Sequence, residues 1–293
     1  MTLRLEDALP EKRAARRAFD RAVGFDAASF IHDEARARLL ERLLLLRLQP
    51  KVVLDLGCAT GRGASALALR YPAARVLAVD SSPKMLRAAA AANITGSVAV
   101  VGGEAERLPL KSQCVDLVFA NLVLPWCRPD TVFAEVARVL TQGGSVSFAT
   151  LGPDSLREVR EAFAAVDDRI HVHAAFDMHD LGDLALKAGL AEPVLDVDRL
   201  EVTYSDVAAL ARDLRATGGV NVALARRRVL TGPARWQRFE QRLSPKPGQR
   251  LRVTVELIFG QAFGRGPARG PRPAETTEVR IPVGRIKRPS EST

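Results

Sequence analysis

The sequence predicts an α/β fold with a doubly wound, mostly parallel sheet of seven strands. Short apolar runs that end in glycine or a polar residue alternate with Ala- and Leu-rich segments between residues 52 and 150. This alternation is typical of parallel strands joined by helices that cover both faces of a sheet. The first run is followed by a glycine-rich turn and a helical segment, the arrangement at which open α/β sheets bind nucleotide-like ligands.

Two helices are predicted in front of the sheet. Residues 11–30 have the pattern of a basic amphipathic helix followed by a turn at Gly24. Its basic residues recur every four positions on one face, at Arg13, Arg17 and Arg21. Residues 32–48 predict a second helix. Its buried side is expected to carry Leu39, Leu40, Leu43 and Leu44.

The strands and the remaining helices follow in order along the chain. The predicted strands are residues 52–57, 75–80, 98–101, 115–120, 145–150, 194–204 and 252–259. The predicted helices are residues 64–70, 83–92, one that closes at 135–140, and then 154–166, 181–188, 206–216 and 235–243. Gly143 and Gly144 are expected to turn the chain ahead of the fifth strand.

Charge and cysteine content restrict the class of protein. A net charge of +9 and a pI near 10.1 indicate an acidic partner, which is a nucleic acid, an anionic membrane or an acidic protein. The charged N-terminus predicts no secretory signal, and Leu43–Leu46, the longest strongly apolar run, is far too short to span a bilayer. Three cysteines without metal-ligand spacing predict neither a disulfide framework nor a metal site. We therefore expect a cytoplasmic protein.

The turn after the first strand carries the chemical signal. It reads Asp55-x-Gly57-x-Ala59-x-Gly61, and the second strand ends in Asp80, an acid placed to accept the two hydroxyls of a ribose. The spacing between the turn and Asp80 fits a dinucleotide site, but the turn itself is not Gly-x-Gly-x-x-Gly. The alternative interpretation is a glycine turn without a ligand.

This turn resembles the first motif of class I S-adenosylmethionine-dependent methyltransferases, which have a Rossmann-like fold. Further stretches together resemble one family, the malonyl-acyl-carrier-protein O-methyltransferases of biotin synthesis. The matching stretches are residues 17–22, 54–61, 121–127, 137–140, 150–158, 177–182, 206–221, 226–232 and 256–263. The resemblance therefore covers roughly residues 16–264 of the chain.

The resemblance implies a domain layout, a cofactor and a reaction. Residues 1–264 are expected to form one methyltransferase domain, with a helical cap (11–48), a cofactor-binding half (50–150) and a substrate-side half (151–264) whose helical insertion covers the substrate. Residues 265–293 are a basic tail rich in Pro, Gly and Arg, which we expect to be disordered. S-adenosylmethionine is expected to lie against Asp55, Gly57, Ala59, Gly61, Asp80, Ser81, Glu104, Ala105, Asn121 and Leu122.

The implied substrate is the malonyl group of an acidic acyl-carrier protein. Its free carboxylate is ionised at neutral pH, so methyl transfer needs alignment and partial desolvation but no general base. The candidate pocket residues are Phe25, His32, Trp126, Gln261 and Arg228. The chain departs from the family pattern at Phe25, His32, Ala59, Pro125 and Gln261, where the family usually has Tyr, Gln, Gly, Gln and His.

Other functions stay open at this point. The departures leave room for a related protein that hydroxylates an arginine during respiratory complex assembly, and Ala59 for a non-enzymatic scaffold with the same fold. A nucleic-acid methyltransferase is disfavoured because residues 121–124 lack the Pro-Pro-aromatic sequence and only 5% of residues are aromatic. For a carrier protein, the stripe at Arg235, Arg238 and Arg242 is favoured over the N-terminal one as the docking surface.

Overall fold

Seven strands form one sheet in the computed structural model, which describes residues 8–92, 98–229, 231–246 and 248–265. The strands are β1 (Val52–Leu56), β2 (Arg75–Asp80), β3 (Val98–Gly102), β4 (Val115–Asn121), β5 (Leu140–Leu151), β6 (Leu190–Tyr204) and β7 (Leu251–Gly264). Their order is β3-β2-β1-β4-β5-β7-β6, and β7 alone runs in the direction opposite to the other six strands. The predicted doubly wound, mostly parallel sheet is therefore confirmed.

Ten α-helices surround the sheet within the described ranges. They are α1 (Lys12–Arg21), α2 (Phe25–Ala28), α3 (Phe30–Arg42), α4 (Arg62–Arg70), α5 (Pro83–Ala92), α6 (Pro129–Val139), α7 (Arg157–Ala164), α8 (Met178–Lys187), α9 (Val207–Ala216) and α10 (Pro233–Leu243). Helices α9 and α10 are inserted between β6 and β7. The expected tail, residues 265–293, lies outside the described residues apart from Arg265.

The N-terminal region follows its prediction at the turn and differs from it in the second helix. Helix α1 ends at Arg21, and the chain turns at Gly24, whose φ of 76° is left-handed, before the short helix α2. The second helix ends at Arg42 and continues as the 3₁₀ turn Leu43–Leu46. This change of helical period turns Leu44 outward, and its side chain is 58% exposed instead of buried.

Gly143 and Gly144 do not turn the chain; they lie inside β5. Between Val115 and Leu117 of β4, the pairing with β5 shifts register, so that residue 140 and then residue 145 are the partners. Gly143 has a φ of 77°, which permits this bulge without steric cost. The strand therefore starts five residues earlier than the sequence predicts.

Apolar strands at the centre of the sheet fix where the ligand-binding edge lies. All residues of β1 after Val52 are buried, as are most residues of β4. One face packs against α6 and α8 and the other against α3 and α4, so both faces are covered by helices. The carboxyl ends of β1, β2, β3 and β4 then meet at one edge of the sheet.

Candidate active site

A cavity of about 100 Å³ lies at this edge and is closed from above by the N-terminal helix. Its floor comes from the residues that follow β1, β2, β3 and β4. Lys12, Ala15, Arg16 and Phe19 of α1 line its roof. The Lys12 ammonium lies 2.6 Å from a carboxylate oxygen of Glu106, which ties α1 to the loop after β3.

Most of the residues predicted from the sequence line this cavity. Nine of the ten expected cofactor residues do so, together with three of the five pocket candidates. The nine are Asp55, Gly57, Ala59, Asp80, Ser81, Glu104, Ala105, Asn121 and Leu122, and the three are Phe25, His32 and Trp126. The sequence did not single out Gly63, although it also lines the cavity.

Asp55 offers a buried acceptor to the cavity. Its side chain is inaccessible at 2% exposure, and its Oδ2 has no hydrogen-bond partner among the described residues. Burial raises the pKa of this carboxyl to about 7, against the opposing effect of the Ala64 backbone N–H that donates to it. A Cβ on Gly63 would lie 2.7 Å from Oδ2, so glycine there lets α4 approach the carboxyl closely. A buried, unpartnered acceptor of this kind favours a cationic ligand group.

Asp80 holds the turn in shape as well as facing the cavity. The backbone N–H of Ala59 donates to its Oδ2 at 3.0 Å, and that of Ser82 donates to its Oδ1 at 2.8 Å. Burial raises the pKa of this carboxyl, although both N–H donors oppose the shift. Ala59 has a φ of 45°, in the left-handed region where glycine is favoured, which gives the physical cost of this departure from the family pattern.

Three groups meet where β4 ends. The Asn121 side-chain amide donates to the backbone carbonyl of His32 at 3.0 Å, while its Oδ1 has no partner among the described residues. The His32 Nδ1 is equally inaccessible and unpartnered in that part of the chain. Burial lowers the pKa of this imidazole to about 4, so the ring is neutral at physiological pH. His32 therefore does not lie on a solvated helix surface; the Phe25 ring packs beside it, with centroids 5.1 Å apart.

A second cavity, of about 80 Å³, adjoins the first. His32, Leu122 and Trp126 line both cavities. The rest of its wall is mainly apolar and comes from α3, the segment after β5, and α9. Trp126 stands between the two cavities, its ring edge-on to Phe19 with centroids 5.0 Å apart. It is therefore a wall of the site, an assignment that its position in the sequence leaves undecided.

Three of the predicted site residues line neither cavity. Gly61 begins α4 with a φ of 85°, and a Cβ there would lie 3.0 Å from that of Ala89, so its role is in the turn and in helix packing. Gln261 lies within β7 opposite Ser147, away from the carboxyl end of β5. Arg228 lies 3.3 Å from the Glu11 carboxylate and is exposed. The structure therefore does not bring these three predicted site residues to either cavity.

The described part of the chain offers neither a membrane-spanning helix nor a metal-binding cluster. No helix there is long and apolar enough to cross a membrane. Within the same ranges, no three His, Cys, Asp or Glu side chains are grouped so as to hold a metal ion.

Comparisons with known proteins agree with this geometry. A methyltransferase domain family matches residues 54–148. The malonyl-[acyl-carrier protein] O-methyltransferase of Laribacter hongkongensis is 42% identical over 89% of this chain and 92% of its own. The enzyme of the same name from Methylovorus sp. is 40% identical over 87% of this chain and 90% of its own.

Solved structures show the same fold at lower identity. The YcgJ protein of Bacillus subtilis has a TM-score of 0.55 at 20% identity, covering 75% of this chain and 94% of its own. An S-adenosylmethionine-dependent methyltransferase of Thermotoga maritima has a TM-score of 0.51 at 19% identity, covering 85% and 99%.

Fold, site and relatives define an S-adenosylmethionine-dependent methyltransferase with a Rossmann-like sheet. The chain belongs to the malonyl-[acyl-carrier protein] O-methyltransferase family. The residues present fit this cofactor, because the unpartnered oxygens of Asp55 and Asn121 are acceptors suited to its cationic groups. Gly57 and Gly103, which line the same cavity, have no room for a side chain, since a Cβ on either would lie within 2.7 Å of the Val123 or Pro109 side chain.

Proposed function

We propose that this protein methylates the free carboxylate of a malonyl group carried as a thioester on acyl-carrier protein, an early step of biotin synthesis. The observation that carries the proposal is the second cavity, which meets the cofactor cavity at His32, Leu122 and Trp126. A small acyl end in that cavity lies beside the methyl donor, away from bulk water. We further propose that the reaction takes place in the cytoplasm.

The cofactor, when bound, supplies a methyl group on a sulfonium. Asp55 and Asn121 are suited to accept hydrogen bonds from its ammonium group, and Asp80 from its ribose hydroxyls. Glu104 and Ala105 follow β3 on the side where the adenine edge is expected. Roof residues of α1, Phe19 among them, exclude water from the reacting groups.

The second cavity suits an anionic nucleophile that must stay reactive. Among the described residues that line it there is no Lys or Arg, so no cation pairs with the carboxylate and weakens its nucleophilicity, and Asp213 is the one acidic residue in the wall. His32 is neutral, and a neutral imidazole N–H can orient one carboxylate oxygen by a single hydrogen bond. No proton has to be removed, because the carboxylate is already ionised.

An acidic carrier protein matches the charge of this chain. The net charge is +9, and Arg13, Arg17 and Arg21 on α1 and Arg238 and Arg242 on α10 are exposed. Within the described ranges, none of these five makes a direct ion pair, although Arg17 lies near enough to the Glu11 carboxylate to attract it. Both stripes are therefore available to steer an acidic partner toward the site.

Methyl transfer to purified malonyl-carrier protein tests the proposal directly. We expect a methyl ester on the malonyl carboxylate by mass spectrometry, dependent on S-adenosylmethionine, and no product from acetyl-carrier protein, which lacks the carboxylate. The gene is also expected to rescue a biotin auxotroph that lacks this methyltransferase. Cofactor binding without any transfer would instead favour a non-enzymatic scaffold.

A further inference from the structure

A third cavity lies behind the second one, beneath the helices inserted between β6 and β7. It has a volume of about 240 Å³, against about 80 Å³ for the second. Trp236 and Phe239 of α10, Ala211 of α9 and Val159 of α7 are among the residues that line it. Its wall is mainly apolar, and the exposed Arg215 of α9 stands at its edge.

The second and third cavities are separated by a wall of three shared residues. Leu156, Leu214 and Gly219 line both of them. Leu156 has a φ of 56°, a conformation held by the hydrogen bond from its N–H to the carbonyl of Thr254 at 2.9 Å. A Cβ on Gly219 would lie 3.2 Å from the Leu214 side chain, so glycine keeps this wall thin.

We propose that the third cavity binds the arm that tethers the acyl thioester to its carrier protein, with the arm crossing the wall beside Gly219. The inference rests on the proposed function. The cofactor occupies the first cavity and the short acyl end the small second one, so the longer methylene- and amide-containing arm needs a third space in line with them. The third cavity is the larger, is mainly apolar, and adjoins the second directly.

The charges around the outer edge fit the partner at the end of such an arm. Arg215 lines the third cavity, and Arg235 and Arg238 are the immediate neighbours of Trp236 and Phe239 on α10. An acidic carrier protein docked on these arginines would place its arm at the opening of this cavity. This favours the stripe on α10 over the stripe on α1, whose helix lines the cofactor cavity.

The test fills the third cavity and varies the length of the arm. Ala211→Trp places a large ring in the cavity, while Ala208→Trp, on the exposed side of the same helix, is the matched control. We expect Ala211→Trp to raise the KM for malonyl-carrier protein about tenfold, which corresponds to about 1.4 kcal/mol of lost binding. The KM for malonyl-N-acetylcysteamine, which has almost no arm, should not change, and Ala208→Trp should affect neither substrate.

Cofactor binding by calorimetry and the circular dichroism spectrum report whether each variant is folded, and Ala211→Leu replaces the tryptophan variant if it is not. A folded Ala211 variant that matches Ala208→Trp on the carrier substrate overturns the inference. Equal loss of both substrates overturns it as well, because the block would then lie at the acyl end. If the unmodified enzyme methylates neither substrate, the proposed function itself fails, which is a separate result.

Discussion

The cofactor cavity differs from the second and third cavities in the polarity of its wall and in the segments that form it. The first is the most polar of the three, with buried oxygens on Asp55 and Asn121 that have no partner among the described residues, and its floor comes from four consecutive strand ends. The others are mainly apolar, and their walls come from segments far apart in the sequence, from α3 to α10. The difference suggests that one side recognises a charged ligand by fixed acceptors and the other accommodates a chain by shape.

Removing the Asp80 carboxylate should give the largest loss of binding, and it tests the role of polar groups in the cofactor cavity. Asp80→Ala deletes the expected ribose acceptor and also leaves the N–H groups of Ala59 and Ser82 unpaired. We expect S-adenosylmethionine binding to weaken by about 2–3 kcal/mol in calorimetry. Asp116→Ala is the control, because Asp116 accepts from Lys51 and Val52 at the opposite end of β1. Equal weakening in both variants would make Asp80 a fold residue only.

The pH dependence of cofactor binding sharpens the same comparison. The pKa of Asp55 is raised to about 7 by burial, so a cationic ligand must find this carboxyl ionised or displace its proton. We expect affinity to rise between about pH 5 and 7, by up to tenfold per unit. Calorimetry in buffers of different ionisation enthalpy should detect the released proton. Asp55→Asn should bind more weakly and lose this pH dependence.

The folding stability of the unliganded protein should change with pH in the opposite direction to cofactor affinity. Because the folded-state pKa of Asp55 lies above its unfolded value of about 4, folding favours the protonated carboxyl. The contribution of Asp55 to stability is therefore present at low pH and is lost as the pH rises through about 4 to 7. Thermal unfolding of the unliganded protein and of Asp55→Asn over this range should converge at low pH and diverge above it.

Charge reversal on α10 tests whether the carrier protein docks beside the third cavity. Arg235→Glu with Arg238→Glu should raise the KM for malonyl-carrier protein about tenfold at low salt, less at high salt, and spare malonyl-N-acetylcysteamine. Arg13→Glu with Arg17→Glu makes the same charge change on α1 and is the matched control. If the α1 pair has the larger effect, the carrier docks over the cofactor cavity and not beside α10.

The smallest expected effect concerns the strained turn. Ala59→Gly should relieve a left-handed conformation that costs alanine about 1–2 kcal/mol, offset by the greater unfolded-state entropy of glycine, about 0.5–1 kcal/mol. We expect a net gain in unfolding free energy of about 0.5 kcal/mol in urea titration. Ala64→Gly, in the ordinary helical backbone of α4, should lose stability instead. A loss in both variants would mean that the turn carries no strain.

The local sequence pattern was enough to predict the sheet and the residues of the cofactor cavity. Apolar runs predict the central strands because both their faces are covered, and the turn after β1 with Asp80 one strand over predicts residues that do line one cavity. Chain-order neighbours determine these features, since parallel strand ends converge whatever lies above them.

Tertiary structure alone decided which of the predicted residues reach the site and where the second and third cavities lie. Gly61 carries the same motif signal as Gly57, but α5 packs against it and removes it from the cavity wall. The antiparallel register of β7 places Gln261 opposite Ser147, away from the site, and this register cannot be read from the sequence. The second and third cavities exist because residues near 30, 156, 214 and 236 pack around one space. Such walls depend on distances between segments far apart in the sequence, so only the folded chain defines them.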